Sequence, residues 1–233
     1  SIMIEETSSS TLEAQWLKAG SPEDFIRNNS TFNSLMMKYR CAIRQIETKL
    51  QVLNDEFSVT NQRNPISSIK SRVKSPSSIH GKLKRRGFPF TAESIVENLD
   101  DVAGVRVVCP FISDIYAVAQ LITSQDDITV LKIKDYIKNP KENGYRSYHM
   151  IVEVPVYFSD GKVPMRAEIQ IRTMGMDFWA SVDHQLHYKK ELISGTDISS
   201  IVQALCLCAE TVNETDRRME AIKDLIGNFV IDI

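Results

Sequence analysis

The sequence predicts a mixed β-sheet flanked by helices, in an α/β or α+β domain. Short β-branched or alternating segments typical of strands are separated by segments with apolar residues at three- and four-residue steps, which are typical of helices. When strands and helices alternate along a chain, the helices cover the faces of a sheet. A chain of 233 residues with 42% hydrophobic residues can bury one good-sized core, so we expect one domain.

The N-terminal part of the chain differs in composition from the rest. Residues 1–30 are polar and interrupted by Gly20 and Pro22, and they predict a flexible arm. Between residues 32 and 57 apolar residues recur at helical spacing, so an amphipathic helix is expected to begin at residue 29 or 30. We therefore assign residues 31–233, with the C-terminal helices, to a single domain.

The elements after Pro65 follow the same two patterns. The last expected helix carries an apolar stripe that needs a partner, in the same chain or in another copy. In order, we expect a short strand and then a helix from Ser77 or Ser78 within 66–83, a helix over 93–99, a strand over 104–111, a helix capped by Ser113 over 113–124, a strand over 128–137, strands over 147–158 and 165–173 joined by an Asp160-Gly161 turn, and helices over 176–187 and 198–226.

Composition excludes several classes of protein. The net charge of −2 argues against general attraction to nucleic acid or to anionic membranes. Four cysteines without CxxC pairing indicate a reduced, cytoplasmic protein. No apolar run approaches the roughly 20 residues that a membrane helix needs. The first residues are acidic and serine-rich, so secretion is not expected.

Polar residues within two apolar strand patterns suggest a site. In "EIQIRT", alternation places Glu168, Gln170 and Arg172 on one face of the strand, opposite a core face. The second strand is the apolar one expected over 104–111. Asp101, next to Asp100, lies just before it. Arg106 lies inside that apolar run, and burying a guanidinium without an anion is too costly, so it needs a negatively charged partner.

A basic segment of the chain points to phosphate groups. No acidic residue occurs between Glu56 and Glu93. Cations and two carboxylates suggest a polyphosphate with Mg²⁺, hence phosphoryl or nucleotidyl transfer. Walker and protein-kinase motifs do not occur in the sequence, so these two enzyme classes are disfavoured. The cations of this segment are Arg63, Lys70, Arg72, Lys74, Lys82, Lys84, Arg85 and Arg86.

Four motifs in this order resemble the synthetase domain of the RelA/SpoT homologue family, and the small single-domain alarmone synthetases in particular. They are "SRVKSPSSIHGKL", "DDVAGVRVV", "KDYIKNPKENGYRSYH" and "AEIQIRTMGMDFWASVDHQLHYK". The resemblance covers residues 64–190. It implies a five-stranded, nucleotidyltransferase-like fold and a homotetramer. It also implies an enzyme of the stringent response that transfers pyrophosphate from ATP to the 3′-hydroxyl of GDP or GTP with Mg²⁺.

The resemblance also implies roles for individual residues. Glu168 would hold the metal, help to deprotonate the attacking hydroxyl, or do both, and Tyr145 would stack on guanine. Tyr148 and Met150 are expected in the core, and His187 at the surface. The implied residues are Asp101 and Glu168 for catalysis and metal, Arg72, Lys74, Ser78, Lys82 and Arg106 for ATP, and Lys134, Lys141, Asn143, Tyr145, His149, Gln170 and His184 for GTP or GDP.

Two other functions are weighed against this one. The basic segment and Tyr145 would also suit a non-catalytic module with RNA as its partner, although Asp101 and Glu168 would repel a nucleic-acid backbone. A general nucleotidyltransferase usually shows a Gly-Ser turn followed by paired acids on a strand, and no Gly-Ser pair of this chain, Gly20-Ser21 included, is followed by such a strand. The family's hydrolase domains carry a His-Asp motif, and because this sequence has no His-Asp dipeptide we expect no hydrolysis of the alarmone.

Overall fold

The computed structural model describes residues 9–60, 63–190 and 197–229 of the chain, and side chains within 12–60, 63–187 and 198–227. Most of the predicted elements are present, with ends within a few residues of those expected. In chain order they are α1 (Ser9–Lys18), α2 (Pro22–Asn28), α3 (Ser30–Thr60), β1 (Ser68–Val73), α4 (Pro76–Arg85), α5 (Ala92–Asn98), β2 (Ala103–Cys109), α6 (Ile112–Thr123), β3 (Thr129–Asp135), β4 (Tyr148–Phe158), β5 (Gly161–Thr173), α7 (Met174–Lys190) and α8 (Asp197–Phe229).

The five strands form one sheet in the order β1-β2-β5-β4-β3. β1 runs antiparallel to β2, because Ser67 N–H donates to the Val108 carbonyl (2.7 Å) and Lys74 N–H donates to the Val102 carbonyl (2.8 Å). β4 and β5 are joined by the predicted turn, at which Gly161 has a φ of 137°. Glycine is favoured there because it has no Cβ to clash. The predicted five-stranded sheet with helices is confirmed.

The chain forms two compact units, each assembled from three segments. Strands β1, β2, β4 and β5 contribute residues to both units. The assignment of residues 31–233 to a single domain stays a prediction. The first unit comprises Ser1–Thr48, Ser71–Val105 and Ile151–Glu168, and the second comprises Lys49–Lys70, Arg106–Met150 and Ile169–Ile233.

The core of the first unit is built on one face of α3. The apolar stripe predicted for this helix is confirmed, because most of its members in the first half are buried and Leu35 is half-buried. Phe32 also packs against Phe25 of α2, with ring centroids 5.1 Å apart. The buried members of the stripe are Phe32, Met36, Tyr39, Ile43 and Ile46.

The predicted flexible arm is wrong for residues 12–28. Leu12 of α1 and Phe25 of α2 are only 2% and 1% exposed. The ring of Trp16 meets Phe25 edge-on at a centroid distance of 5.2 Å. Pro22, read from the sequence as a break, occupies the first turn of α2, where the missing N–H costs nothing because no partner exists for it. The part of the predicted arm before Ser9 lies outside the described residues.

Two helix starts also differ from the prediction. α4 begins at Pro76 with Ser75 as its cap. In α6, Ser113 lies inside the helix, and Phe111 occupies the cap position without a side-chain bond. The Ser113 hydroxyl instead accepts a hydrogen bond from Lys223 Nζ of α8 at 2.6 Å. A tertiary contact therefore uses the group that the local pattern assigned to capping.

In the second unit, α8 packs along α7 and α6. This contact supplies a partner within the chain for the beginning of the predicted apolar stripe, where Ala209 is 4% exposed. Further along, Met219 and Ile222 are 52% and 51% exposed. Met150 is fully buried as predicted, and Tyr148 is half-buried. Among the helices that the structure describes, none combines the length and hydropathy needed to cross a membrane.

Two leucine substitutions in α1 test whether this helix is part of the core. Leu12→Ala removes a buried side chain and should lower the free energy of unfolding by about 2–4 kcal/mol in urea denaturation. Leu17→Ala is the control, because Leu17 is 75% exposed, and it should change that free energy by less than about 0.5 kcal/mol. Equal small effects of both substitutions would support a loose arm and contradict the packing seen here.

Candidate active site

A three-residue cluster of opposite charges occurs in the first unit. Lys74, just after β1, places its Nζ 3.0 Å from Asp101 Oδ2, and Lys82 of α4 places its Nζ 3.0 Å from Asp101 Oδ1. α4 starts between the two lysines, because Ser75 caps it and Pro76 opens its first turn. The predicted metal ligand and two of the predicted ATP contacts therefore do come together.

The two lysines keep Asp101 ionised. Burial alone would raise the pKa of this carboxyl. The hydrogen bond from Lys82 and the charge and hydrogen bond of Lys74 outweigh that effect and hold the pKa of Asp101 below its ordinary value. The cluster thus presents one carboxylate and two ammonium groups, which is one positive charge in excess.

Arg72 and Ser78 lie on the same two elements as the lysines. Arg72 is exposed on β1. Ser78 is exposed in the first turn of α4, where its hydroxyl is 2.9 Å from the hydroxyl of Ser75. Both residues are open to solvent, as a phosphate contact requires, and their roles toward ATP stay predictions.

Asp100 has a different partner from its neighbour Asp101. Its Oδ1 accepts from Arg166 Nη1 of β5 at 3.0 Å. Glu168 follows Arg166 by two residues, and alternation places it on the same face of β5, between buried Ala167 and Ile169. The Asp100–Arg166 ion pair therefore ties the segment that carries Asp101 to the strand that carries Glu168. Glu168 itself is half-buried.

The donor set fits a cation shared with a phosphate. Mg²⁺ in proteins takes one or two carboxylates and completes its octahedron with phosphate oxygens and water. Asp101 is an ionised carboxylate next to two ammonium groups that can receive phosphate oxygens. In the described parts of the chain, no group of three or more His, Cys, Asp or Glu side chains could hold a metal alone.

In the second unit, a tight loop before β4 carries the predicted acceptor residues. Gly144 has a φ of 94°, a left-handed conformation that favours glycine. Its N–H donates to the Lys141 carbonyl at 2.9 Å. Asn143 Oδ1 accepts from the backbone N–H of Tyr145 at 3.0 Å. These local bonds fix the loop, so Asn143 has a structural task besides its predicted contact with the nucleotide.

Tyr145 is held by a chain of hydrogen bonds to side chains of β4 and β5. Arg172 Nη2 donates to the Tyr145 hydroxyl at 2.8 Å and to Gln170 Oε1 at 2.7 Å. The Tyr145 hydroxyl lies 2.8 Å from His149 Nε2. The Tyr145 hydroxyl therefore bridges Arg172 and His149. Tyr145, His149 and Gln170, all predicted acceptor contacts, therefore meet around one guanidinium.

His149 is neutral in this cluster. Burial first, and then the positive charges of Arg172, Lys141 and Lys134, lower the pKa of His149 from 6.5 to about 3. A neutral imidazole can accept the tyrosine proton at Nε2, whereas a protonated ring could not. The low pKa therefore keeps a neutral ring beside the Tyr145 hydroxyl.

The aromatic rings of the loop lie close to a predicted phosphate-binding lysine. The Nζ of Lys141 is 5.0 Å from the Tyr145 ring centroid and 4.9 Å from that of Tyr136. Lys141 is exposed and Lys134 is half-buried on β3. The structure thus places Lys141 and Tyr145 side by side, as the acceptor prediction requires. Tyr136 was not singled out from the sequence.

Arg106 has the carboxylate partner that the sequence demanded. Its Nη1 is 3.6 Å from Asp177 Oδ1 of α7, and Arg172 Nη1 is 3.4 Å from the same oxygen. The Nε atoms of Arg106 and Arg172 are buried without a hydrogen-bond partner among the described residues. The sharing of Asp177 by two arginines leaves a net positive charge. The predicted contact of Arg106 with ATP stays a prediction.

Sequence reasoning missed the central position of Arg172 and Asp177. Alternation placed Arg172 on the polar face of its strand, yet the side chain is only 2% exposed. The signal that could have found Asp177 is the rule that buried guanidinium groups need a carboxylate. His184 and His187 are both exposed on α7. His187 is thus at the surface as predicted, and the predicted contact of His184 with the acceptor is not tested by the structure.

Comparison with known proteins gives one consistent result. A family model described as a region found in RelA / SpoT proteins matches residues 71–192. GTP pyrophosphokinase YwaC from Bacillus subtilis is 40% identical over 188 residues, which cover 81% of this chain and 88% of that protein. GTP pyrophosphokinase YjbM from the same species is 32% identical, with coverage of 84% and 90%.

Solved structures agree with the sequence comparison. Small alarmone synthetase 2 from Bacillus subtilis has a TM-score of 0.74 at 39% identity, covering 83% of this chain and 98% of that one. Small alarmone synthetase 1 from the same species, bound to its product pppGpp, has a TM-score of 0.76 at 32% identity, covering 85% and 99%. Since the family model spans more than half of the chain and these relatives align along most of it, the chain belongs to the RelA/SpoT family.

Proposed function

We infer that the chain is a (p)ppGpp synthetase, an ATP:GTP 3′-diphosphotransferase of the stringent response. The reaction moves the β,γ-pyrophosphoryl group of ATP to the 3′-hydroxyl of GDP or GTP and releases AMP. The observation that carries this inference is the cluster in which Lys74 and Lys82 flank an ionised Asp101, within a segment that matches the family. The names of the relatives, GTP pyrophosphokinases and small alarmone synthetases, support the same reaction.

When ATP binds, its phosphate oxygens are proposed to replace Asp101 as the partners of Lys74 and Lys82. Phosphate oxygens are stronger anionic partners for Lys74 and Lys82 than one carboxylate, since a triphosphate carries several charges. Arg72 and Ser78 add contacts to the same triphosphate, and Arg106 is assigned to ATP from the family resemblance alone. Asp101, released from the lysines, would hold Mg²⁺ together with Glu168, and the bound ion would neutralise developing charge on the phosphates.

The loop around Tyr145 is proposed to bind the guanine nucleotide. Tyr145 offers an aromatic face whose orientation is fixed before the ligand arrives, because Arg172 and His149 both bond its hydroxyl. A fixed ring loses little entropy on stacking. Lys134 and Lys141 would neutralise the acceptor phosphates. Polar contacts to the nucleotide are assigned to Asn143, His149, Gln170 and His184.

The chemical step is a displacement at phosphorus. The 3′-oxygen of the acceptor attacks the β-phosphorus of ATP, and the bond from that phosphorus to the oxygen bridging to the α-phosphate breaks, so that AMP leaves. We assign the proton of the attacking hydroxyl to Glu168, the half-buried carboxylate two residues before Gln170 on β5. No covalent intermediate with the protein is needed.

The alternative of a non-catalytic RNA-binding module has no support from the comparisons. The structure adds an argument against it, since Asp101 lies between the two lysines that would otherwise face an RNA backbone. The homotetramer and the cytoplasmic location remain part of the proposal. Exposed apolar side chains on α8, including Met219, Ile222 and Leu225, support an oligomer.

The product assay is the direct test of this function. Purified protein with ATP, GTP and Mg²⁺ should release AMP in amounts equal to a guanosine nucleotide that carries a 3′-pyrophosphate, measured by anion-exchange chromatography. Glu168→Gln should reduce turnover by about 1,000-fold or more, because it removes the proposed base and metal ligand, and ATP binding should persist. Glu56→Gln on the exposed face of α3 is the control and should leave turnover unchanged. ADP or free pyrophosphate as the product would contradict the assignment.

Substitutions at Tyr145 test the acceptor site separately from the ATP site. Tyr145→Ala removes the stacking surface and should raise KM for GTP by about 10- to 100-fold, while KM for ATP stays within a factor of about two. Tyr145→Phe keeps the ring and loses only the hydroxyl, so its effect on KM for GTP should be clearly smaller. Equal losses toward both nucleotides in the alanine variant would argue against the assignment of this loop.

The neutral state of His149 should make the stability of the protein depend on pH. Below pH 6.5 the unfolded chain binds a proton at His149 that the folded chain excludes until pH about 3, so acid favours unfolding across this window. Denaturation in urea at pH 7, 6 and 5 should show a loss of about 1 kcal/mol per pH unit below 6.5 from this group. His149→Gln should remove that part of the slope, and an unchanged slope would show that His149 titrates normally in the fold.

A further inference from the structure

One helix, α8, supports both halves of the Tyr145 and Arg172 pair. It contacts the loop that ends at Tyr145 and the junction of β5 and α7 that follows Arg172. In each contact, the backbone of one glycine lies close to side chains of α8, and one hydrogen bond joins the two segments.

The first contact is between α8 and the Tyr145 loop. A Cβ atom on Gly144 would lie 2.7 Å from Ala209 Cβ and 3.3 Å from Cys206 Cα. Both distances are too short for ordinary packing, so the loop backbone is seated directly on the helix. The Cys206 thiol also donates to the Glu142 carbonyl at 3.2 Å. Ala209 is 4% exposed, and a branched side chain there must displace the loop.

The second contact is between α8 and the end of β5. The Thr173 hydroxyl donates to Asp216 Oδ2 at 2.6 Å. It also accepts a hydrogen bond from the N–H of Met176, so that Thr173 caps the start of α7. A Cβ atom on Gly175 would lie 2.8 Å from Val212 Cγ1. Burial raises the pKa of Asp216, and the Thr173 hydrogen bond partly offsets this effect. Thr173 is therefore fixed in place from both sides.

These two contacts converge on one hydrogen bond. Tyr145 follows Gly144 directly, and Arg172 directly precedes Thr173. The bond from Arg172 Nη2 to the Tyr145 hydroxyl is 2.8 Å long, and a shift of loop or junction by a fraction of an ångström would break it. The ring orientation of Tyr145 thus depends on the surface of α8.

We propose that Ala209 and Asp216 of α8 are positioning residues that set the affinity for the guanine nucleotide. They act through Gly144 and Thr173 on the Tyr145 and Arg172 pair, and they touch neither substrate. The proposal rests on the function inferred above, because it assigns the Tyr145 loop to the acceptor. If α8 only stabilised the fold, its variants would lose affinity for both nucleotides. A positioning role instead predicts a loss of affinity for the guanine nucleotide alone.

The first experiment enlarges the side chain at Ala209. Ala209→Val should raise KM for GTP about 10-fold or more, because displacements near 1 Å of a binding group cost that much or more, with KM for ATP unchanged. Ala209→Ser adds one small atom and should retain wild-type values. Leu207→Ala is the control for α8, because Leu207 is 64% exposed, and it should change neither KM.

A second pair of variants decides the outcome if Ala209→Val does not fold. Asp216→Ala leaves the Thr173 hydroxyl without its acceptor and should raise KM for GTP about 5-fold. Asp216→Asn keeps an acceptor oxygen at the same position and should restore KM. Calorimetric titration of GTP into each variant, without ATP, should show the same order of affinities.

The outcomes separate this proposal from the inferred function. Wild-type protein that makes no 3′-pyrophosphorylated product would overturn the function, whatever the α8 variants do. Active wild-type protein whose α8 variants lose affinity for ATP and GTP equally, or for neither, would overturn the positioning role alone. A conservative variant at Asp216 that fails to restore KM would also count against it.

Discussion

A buried guanidinium must be hydrogen-bonded on several sides, and in this chain that requirement brings three elements to Arg172. Its side chain is 2% exposed and contacts Tyr145 of the loop, Gln170 of its own strand and Asp177 of α7. Removing a charge from water is costly unless partners replace the solvent. The geometry of the proposed acceptor site follows from this one constraint. His149 is kept neutral first by its own burial and then by the charge of Arg172.

The Asp101 cluster solves a related problem at the proposed donor site. Two lysines near one another repel, and Asp101 lies between their charges. The same arrangement leaves ammonium groups and a carboxylate ready for a polyphosphate and a cation. Burial opposes the ionised form of Asp101, and the lysines more than compensate. A binding cluster can thus also be a stable arrangement of the protein alone.

Local patterns in the sequence predicted most of the fold, and they failed where a group serves a distant partner. Alternation and helical spacing depend on nearby residues only, so they located the strands and α3. Ser113 looked like a cap, but it bonds Lys223, more than a hundred residues away. Pro22 and the polar residues around it hid the two buried side chains, Leu12 and Phe25, that fix α1 and α2 to the core.

The sequence alone determined which chemical groups are present and in what order. The basic segment and the acids indicated phosphate and metal, and the resemblance to the family then singled out Lys74, Lys82 and Asp101. The tertiary structure decided which groups are shared: Asp177 between two arginines, and the Tyr145 hydroxyl between Arg172 and His149. Two side chains can share one partner only when both lie within bonding distance of it, and here the side chains come from separate segments of the chain. Those distances are set only when buried charges find partners in the folded chain.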